Sequence, residues 1–547
     1  MPAAAEHFRH ASFWTGRTLR TALAAAVLLL LIRVGWGWHL SSKVRAQLDA
    51  ARARGEATTA AEVSLSAPAP GQNAWDLHTR AMNATIFGVD SPRSSNLEYT
   101  SYPPYGPKWL KLAEGSEARH GPAFALARQA RAHPLARARD TFDPDPKAMM
   151  VNGLNSARNL ANLLADSAQF LETRGQYAEA AERFRDVLHL ARSLRQDPVL
   201  VSQLVALGLE ALACGGIQIA APGLRAGARD PATRKAITGL IADLLDEGAA
   251  RDGFRAAAVA ERIVVTHMLR TAGDQRLAIR PLADRQIAFE SANAAVVAEA
   301  VAADTWPAAE LILTRIKTEP AIFGPGGAWA GIFGTAPAAP FVPRYSRWFH
   351  WGFGEFYGKG IEKQIQGLAE RRITAVALAM QLYYADHNRW PTRLADLVPT
   401  YLPAVPRDPY RAAAPEVGYV TLPKGLPDGT DRPLIYVEPG PVDSQDVNQW
   451  KQPMYGWQQG TINGLSARVP IRQYRDVTRF RPADVKINED GDIGPAPGGG
   501  FGSMYAPPPP PVSPTPSTPG VDDDPDKPDA PRKGEHEQPD PDAPKHP

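Results

Sequence analysis

One stretch constrains this chain before any other: TALAAAVLLLLIRVGWGWHL, Thr21–Leu40. Twenty residues of α-helix rise about 30 Å, the thickness of a bilayer's hydrocarbon core. The uninterrupted apolar run stops at Ile32, and Arg33 follows it. Arg33 lies toward the far end of the span, where its long side chain can reach the interface beside Trp36 and Trp38. A cleaved signal peptide would share the basic start (Arg9, Arg17, Arg20) and the short apolar region, but VGWGWHL lacks the small-x-small pattern that a signal peptidase needs. The expectation is an uncleaved single-pass anchor, with the lipid bilayer as partner through residues 21–40. The flanking positive charges nearly tie: Arg9, Arg17, Arg20, His7 and His10 precede the span, and Lys43, Arg45, Arg52 and Arg54 follow it. A short N-terminal anchor ahead of a long soluble chain usually exports that chain, so the body is expected outside the cytoplasm, in a periplasmic setting.

At 547 residues the chain can hold two or three domains, each with a core of its own. Its net charge of +2 hides an asymmetry, because residues 495–547 carry nine Asp and Glu against four Lys and Arg. The remaining positive excess is small for so long a chain. It falls on arginine-rich helices without interleaved aromatics, which reads as solvated helix faces and argues against a nucleic-acid partner. The one cysteine, Cys214, can form neither an internal disulfide nor a cysteine-based zinc site, and its setting, LEALACGGIQIA, is that of a buried small residue. Residues 495–547 hold 17 prolines, five of them consecutive at Pro507–Pro511, and almost no large apolar side chain after Tyr505. Such a tail cannot bury enough surface to fold and is expected to be disordered, with polyproline stretches.

Between anchor and tail the composition changes several times. Residues 41–116 read as a linker, charged and helix-permissive over Ser41–Ala61, broken by VSLSAPAPGQN and with a short helix start at Asn73–Asn83, followed by an irregular aromatic and proline-rich segment. From 117 to 303, apolar residues recur three or four apart, and the expectation is an all-α body of helical hairpins. Leu160, Leu163, Leu164, Ala168 and Leu171 make one stripe; after Gly175, a second runs through Tyr177, Ala180, Ala181, Phe184, Val187, Leu188 and Ala191. This pair, LLADSAQFLETRGQYAEAAERFRDVLHLAR, resembles one tetratricopeptide repeat. Ala168, Ala180, Gly175, Tyr177 and Phe184 carry the resemblance, since small residues let two helices approach while the rings fill the space between them. No second copy follows at a fixed period, and an ordinary helical hairpin explains the same residues. Residues 304–360 read as an irregular connector; within it Phe323–Gly358 alternates Gly, Pro and aromatics with almost no charge and is expected to cover the helical body. Pro337, Pro340 and Pro343 speak against a spanning helix there.

Beyond Ile361 the pattern becomes regular again. Ile361, Ile365, Leu368, Ile373, Val376, Met380, Tyr383 and Tyr384 predict a long helix, ending near Asn388 because Pro391 disfavours helix at Trp390. Pro399, Pro403, Pro406 and Pro409 then punctuate short elements, and the chain is expected to turn back so that Trp390, Leu394, Leu397, Tyr401 and Leu402 cover the helix's apolar side. VGYVTL and PLIYVE, with GLPDGT between them, have the content of two strands and a turn. The run ALAMQLYYADHN, then WPTRLADLVPTYL, then VPRDPY, then a strand with Tyr-Val before Glu-Pro-Gly, resembles the globular head of the major, G-type pseudopilin of type II secretion. The resemblance covers about 80 residues, 361–440. It implies a small C-terminal α+β pilin-like module at 361–494. In that family the helix is the chain's N-terminus, preceded by a cleaved leader and a hydrophobic stem; here it begins 360 residues in, so the resemblance implies a pilin-type head carried on another protein.

The same family often binds calcium in its C-terminal loop, and the nearest candidates here are Asn488, Asp490 and Asp492. Lys486 and Pro497 stand where an EF-hand-like loop would want carboxylates, so a polar turn explains these residues equally well. No other cofactor is expected. The chain contains no HExxH, no G-x-S-x-G and no P-loop; Glu261 and His267 lie on nearly opposite helix faces; Gly498–Gly502 reads as a linker. Asp143/Asp145 and Asp428/Asp431 sit among Pro and Gly as solvated turns, and His387 beside Asp386 reads as a helix C-cap. The functional expectation is a membrane-anchored extracytoplasmic protein acting through contacts with protein partners not named by the sequence, in an envelope or secretion-related assembly. The alternative is an anchored enzyme whose site, within the helical body, no motif announces.

Overall fold

A computed structural model describes residues 3–63, 68–85, 92, 105–139, 141–145, 153–274, 280–316, 344–413, 415–422, 432–437, 458–462 and 465–469. The protein is mainly helical. The helices are α1 (Ala3–Ala53), α2 (Ala74–Asn83), α3 (Pro107–Ala130), α4 (Leu154–Thr173), α5 (Tyr177–Arg195), α6 (Leu200–Gly227), α7 (Pro231–Leu245), α8 (Gly248–Asp274), α9 (Arg280–Val301), α10 (Trp306–Leu313) and α11 (Arg344–His387). Two antiparallel hairpins follow: β1 (Gly418–Leu422) with β2 (Arg432–Tyr436), then β3 (Gln458–Ile462) with β4 (Leu465–Val469). The tail at 495–547, the connector at 317–343 and the loop with Asn488, Asp490 and Asp492 lie outside the described residues.

Local chemistry sets the helix ends. Asn73 accepts from the Trp75 amide at the start of α2, and Asp230 accepts from the Thr233 amide at the start of α7, each satisfying an orphan N–H of a first turn. Pro231 sits at the first position of α7, where its missing N–H costs nothing. The α4–α5 turn needs a left-handed residue, and Gly175 supplies it at φ +74°. The expected hairpin at 160–193 is thus observed as α4 and α5. Ala168, Ala180 and Phe184 are buried within it, and Tyr177 packs against the same core from a half-buried position.

α5 packs on α4, α6 and α7. The close approach to α6 depends on glycine, because a methyl built on Gly216 would lie 2.6 Å from the Phe184 ring. α11 lies against α6 and α7, and its stretch from Ala369 to Tyr383 joins the main core on several sides at once: Ile373, Ala375, Val376, Ala377, Leu378, Ala379, Met380 and Leu382 are all buried. A helix apolar on every side must be covered on every side. Part of that cover is the proline-punctuated ribbon. Leu394 and Leu397, in a short 3₁₀ turn, and Tyr401 and Leu402 are buried in this core, with Trp390 packed against it. Val417 and, from β2 and the residue after it, Ile435 and Val437 complete the cluster. The pairing of β1 with β2 runs from Gly418↔Tyr436 to Leu422↔Arg432.

Three expectations change. The long helix does not begin at Ile361 but at Arg344, inside the stretch read as an irregular connector, and α10 occupies the start of that same stretch. The helix also belongs to both neighbours, built into the upstream bundle while it carries the ribbon and hairpin. The physical reason is the all-round apolar run at 373–383, too wide for one ribbon to cover. Residues 41–53, the charged and helix-permissive start of the expected linker, are the last part of α1, and α2 lies within that same expected linker.

α6 offers an internal control for the packing argument. Gly216→Ala is expected to cost about 1–3 kcal/mol by forcing Phe184 from its place, whereas Gly208→Ala, whose methyl would meet nothing within 4 Å, should be neutral or stabilising by up to about 1 kcal/mol. Urea denaturation of the two variants checks both signs.

Candidate functional site

Two features stand out from the rest of the molecule. The first is α1, a single helix of 51 residues whose two halves have opposite surroundings. From Leu19 to Trp38 its large apolar side chains are bare, with Leu29 at 66% and Leu31 at 64% exposure. From Leu40 onward the spacing becomes amphipathic, and Leu40, Val44, Leu48 and Ala51 are buried. Val44 and Leu48 pack on Ile287 of α9 with Leu269 of α8, and the Ser41 hydroxyl donates to Asp284 at 2.6 Å. Past the helix, Arg262 of α8 is buried against Glu56 and the Ala57 carbonyl, pinning the chain to the body. α1 is therefore long and apolar enough to cross a membrane, and nothing in the described protein covers that part of it. α6 is equally apolar and long enough, yet most of it is buried in the body as a core helix. Burial, not hydropathy, separates the two.

The second feature is a cleft of about 360 Å³ where α3, α5, α6, α7 and α11 converge. Its walls carry Arg128 from α3 and Arg131 just past its end, Arg185, Arg192 and Arg195 from α5, and Arg371 from α11. Carboxylates hold them. Arg195 Nη2 donates to Glu210 Oε2 at 2.9 Å, and Arg371 Nη1 to Glu210 Oε1 at 3.3 Å. Arg371 also donates to the Leu244, Asp243 and Asp246 carbonyls at 2.9, 2.9 and 2.6 Å, satisfying the C-terminal end of α7. Arg185 pairs with Asp243 at 2.6 Å and Arg192 with Asp246. Arg128 and Arg131 share the buried Asp186 at 2.9 and 3.0 Å. Burial pushes the Glu210 carboxyl up, but Arg195 and Arg371 outweigh it and hold it below the usual carboxylate range.

His189 lines the same cleft. Its Nε2 donates to the His133 carbonyl at 3.3 Å, which leaves Nδ1 a bare lone pair, buried without a partner. Burial, and then Arg131 and Arg192, push its pKa down to about 4. His78, with its ring 5.4 Å away and its Nε2 3.2 Å from the Ser193 hydroxyl, is pushed down to about 3 by burial and by His189. Both rings are neutral at pH 7. The cleft thus presents guanidinium N–H groups and one neutral imidazole, with Glu210 held as an ion between two of the arginines. That arrangement suits recognition of an anionic group better than proton abstraction.

The residues singled out by sequence fall elsewhere. Asp428, Asp431, Gly498–Gly502 and the calcium candidates Asn488, Asp490 and Asp492 lie outside the described residues, and among the described residues no group of three His, Cys, Asp or Glu could hold a metal ion. Asp143 accepts from the Asp145 amide at 2.9 Å, a local turn as expected. Cys214 is buried, its thiol pushed up to about 12 by burial and then by Glu370. His387 is the last residue of α11, a basic side chain at the helix C-terminus, with its ring beside Tyr383, while Asp386 accepts from Tyr401 Oη at 2.6 Å and pairs with Arg234 of α7. Glu261 is buried and His267 exposed, on separate faces. Burial raises Glu261 to about 7, against a single backbone contact from Leu200. The arginines of the cleft correct the reading of Arg-rich helices as solvated faces, since Arg195 is 2% and Arg371 6% exposed. The signal that could have found them is the spacing of Arg185, His189, Arg192 and Arg195 along one side of α5. Comparison with protein-family models, curated proteins and solved structures returns no match.

Glu210→Ala strands two buried guanidiniums and is expected to cost about 3–5 kcal/mol. Arg192→Ala, which breaks a half-exposed pair, should cost under about 1 kcal/mol; chemical denaturation separates them. Glu261 binds its proton more tightly folded than unfolded, so its contribution is intact below the ordinary carboxylate pKa and is lost as pH rises through about 7. Glu261→Gln should therefore raise the melting temperature at pH 8, by up to about 3 kcal/mol of stability, and leave it nearly unchanged at about pH 4.

Proposed function

We propose that this is a single-pass membrane protein whose helical body, held outside the cytoplasm, presents a pilin-like head for protein–protein contact in an envelope assembly. The observation that carries the anchor is the split character of α1, bare and apolar through Trp38 and docked from Leu40. A secretory leader removed on export would take away the bare half and leave the docked half as a new N-terminus, and VGWGWHL offers no small-x-small cleavage pattern for that. The pilin-like reading rests on the motif order from Tyr384 to Tyr410. It draws support from a helix that ends at His387, a ribbon laid on its apolar side, and a hairpin whose Ile435 joins the same core. Such a head, far from a pilin stem, would engage partners without entering a filament by stem packing.

Fractionation tests the anchor. Full-length protein is expected in membranes and resistant to alkaline carbonate, and a form lacking residues 1–39 should be soluble and folded; full-length protein with an intact N-terminus in the soluble fraction would refute it. Protease added to cells with a permeabilised outer membrane should reach the body, whereas protection there with cleavage only after lysis would reverse the orientation. Cross-linking in solubilised envelopes, comparing the full chain with a Tyr401→Ala variant, should lose specific partners if the head is the contact surface.

A further inference from the structure

The register between α1 and the body fixes where a bilayer must lie. A methyl on Gly37 would sit 3.6 Å from Pro281 Cγ, Ser41 bonds Asp284, and Val44 and Leu48 pack on Ile287. These pairs advance together, so α9 runs parallel to α1 and begins level with Gly37. α8 returns antiparallel to α9. Leu269 packs beside Val44 and Leu48, and the residues from Arg270 to Asp274 continue toward the anchor. Arg280 at the start of α9 stands 3.9 Å from Asp274 at the end of α8.

The bare apolar length is short. From Arg20 to Gly37 a helix rises about 26 Å, against about 30 Å of hydrocarbon. Body and anchor share one unbroken helix, docked again from Leu40, so no linker can take up the difference. A short span draws its flanking groups into the interface. Arg33 already takes that posture, with its Nη1 3.5 Å from the methyl position of Gly37, one turn toward the body. Trp36 and Trp38 flank the same level.

Resting on the anchor reading above, we propose that the paired ends of α8 and α9 sit in the headgroup layer beside α1 and bind anionic phospholipid through Arg33, Arg270 and Arg280. Arg270 and Arg280 are exposed, and among the described residues named at this tip three guanidiniums stand against two carboxylates, Asp274 facing Arg280 and Asp284 accepting from Ser41. The excess of guanidinium matches the phosphate-bearing surface. The body is thereby fixed in height and orientation on the membrane rather than tethered above it.

Depth measurement tests this on the full-length protein. Cys214 is buried, so a cysteine placed at exposed Thr271 takes a fluorescent label, and one at Leu311 of α10, beyond the far end of α9, serves as the distant reference. In phosphatidylcholine–phosphatidylglycerol vesicles carrying headgroup nitroxide, the label at 271 is expected to be quenched several-fold more than the label at 311. Arg270→Glu with Arg280→Glu should cut that quenching by roughly half or more, and added salt should act likewise. Protein that floats with the vesicles but shows equal quenching at both sites overturns the tip contact and leaves the anchor standing. Unequal quenching that charge reversal does not change overturns the role of the arginines. Protein that fails to float overturns both readings.

Discussion

The body is organised around a helix that cannot tolerate water on any side. Between Ile373 and Leu382, α11 carries two polar residues, Thr374 and Gln381, both buried, and the Thr374 hydroxyl accepts from Gln218 of α6 at 2.7 Å. Enclosing such a segment requires partners from several directions. α6 and α7 supply two of them, and the ribbon after Pro391 supplies another. Just before the apolar run, Arg371 and Arg372 fasten the helix: one reaches the carbonyls that end α7, and the other grips Glu247 with two bonds of 2.6 and 2.7 Å. Arg372 also donates to the Arg407 carbonyl, joining the ribbon to the turn between α7 and α8.

Charge is used within this body chiefly to set which helix meets which. Asp186 lies between Arg128 of α3 and Arg131 at its end, Glu210 between one arginine of α5 and one of α11, and Glu56 between Arg54 and Arg262 of α8. Buried pairs contribute little net stability, because desolvation consumes most of the attraction, but an unmatched partner is costly. A wrong register of α5 against α3 or α11 would leave several guanidiniums unmatched at once. The arginine-lined cleft is the place where these pairs open to solvent.

The sequence was legible where one local rule governs a segment. The periods of α4 and α5, the stop at Gly175, the end of α11 before Pro391 and the strands at 418–422 and 432–436 all follow from spacing, turn chemistry and proline. It was not legible where partners lie far apart. Glu210 and Arg371 are separated by 161 positions, and the one-sided spacing that groups Arg185, Arg192 and Arg195 on α5 does not say that Arg195 is almost fully buried and Arg192 exposed. The beginning of α11 was missed for another reason: glycines and aromatics at 344–360 suppress the apolar period, and helix there is continuous with the strongly periodic part beyond it.

What the sequence alone determined is the helical class, the apolar length at the N-terminus and the punctuation after Trp390, each set by residues within a few positions of one another. Tertiary structure decided which of two equally apolar helices is bare. α6 finds covering neighbours, and the large apolar side chains of α1 from Leu19 to Trp38 find none. Hydropathy measures only what a segment would prefer to avoid, and burial depends on whether the rest of the chain can reach it.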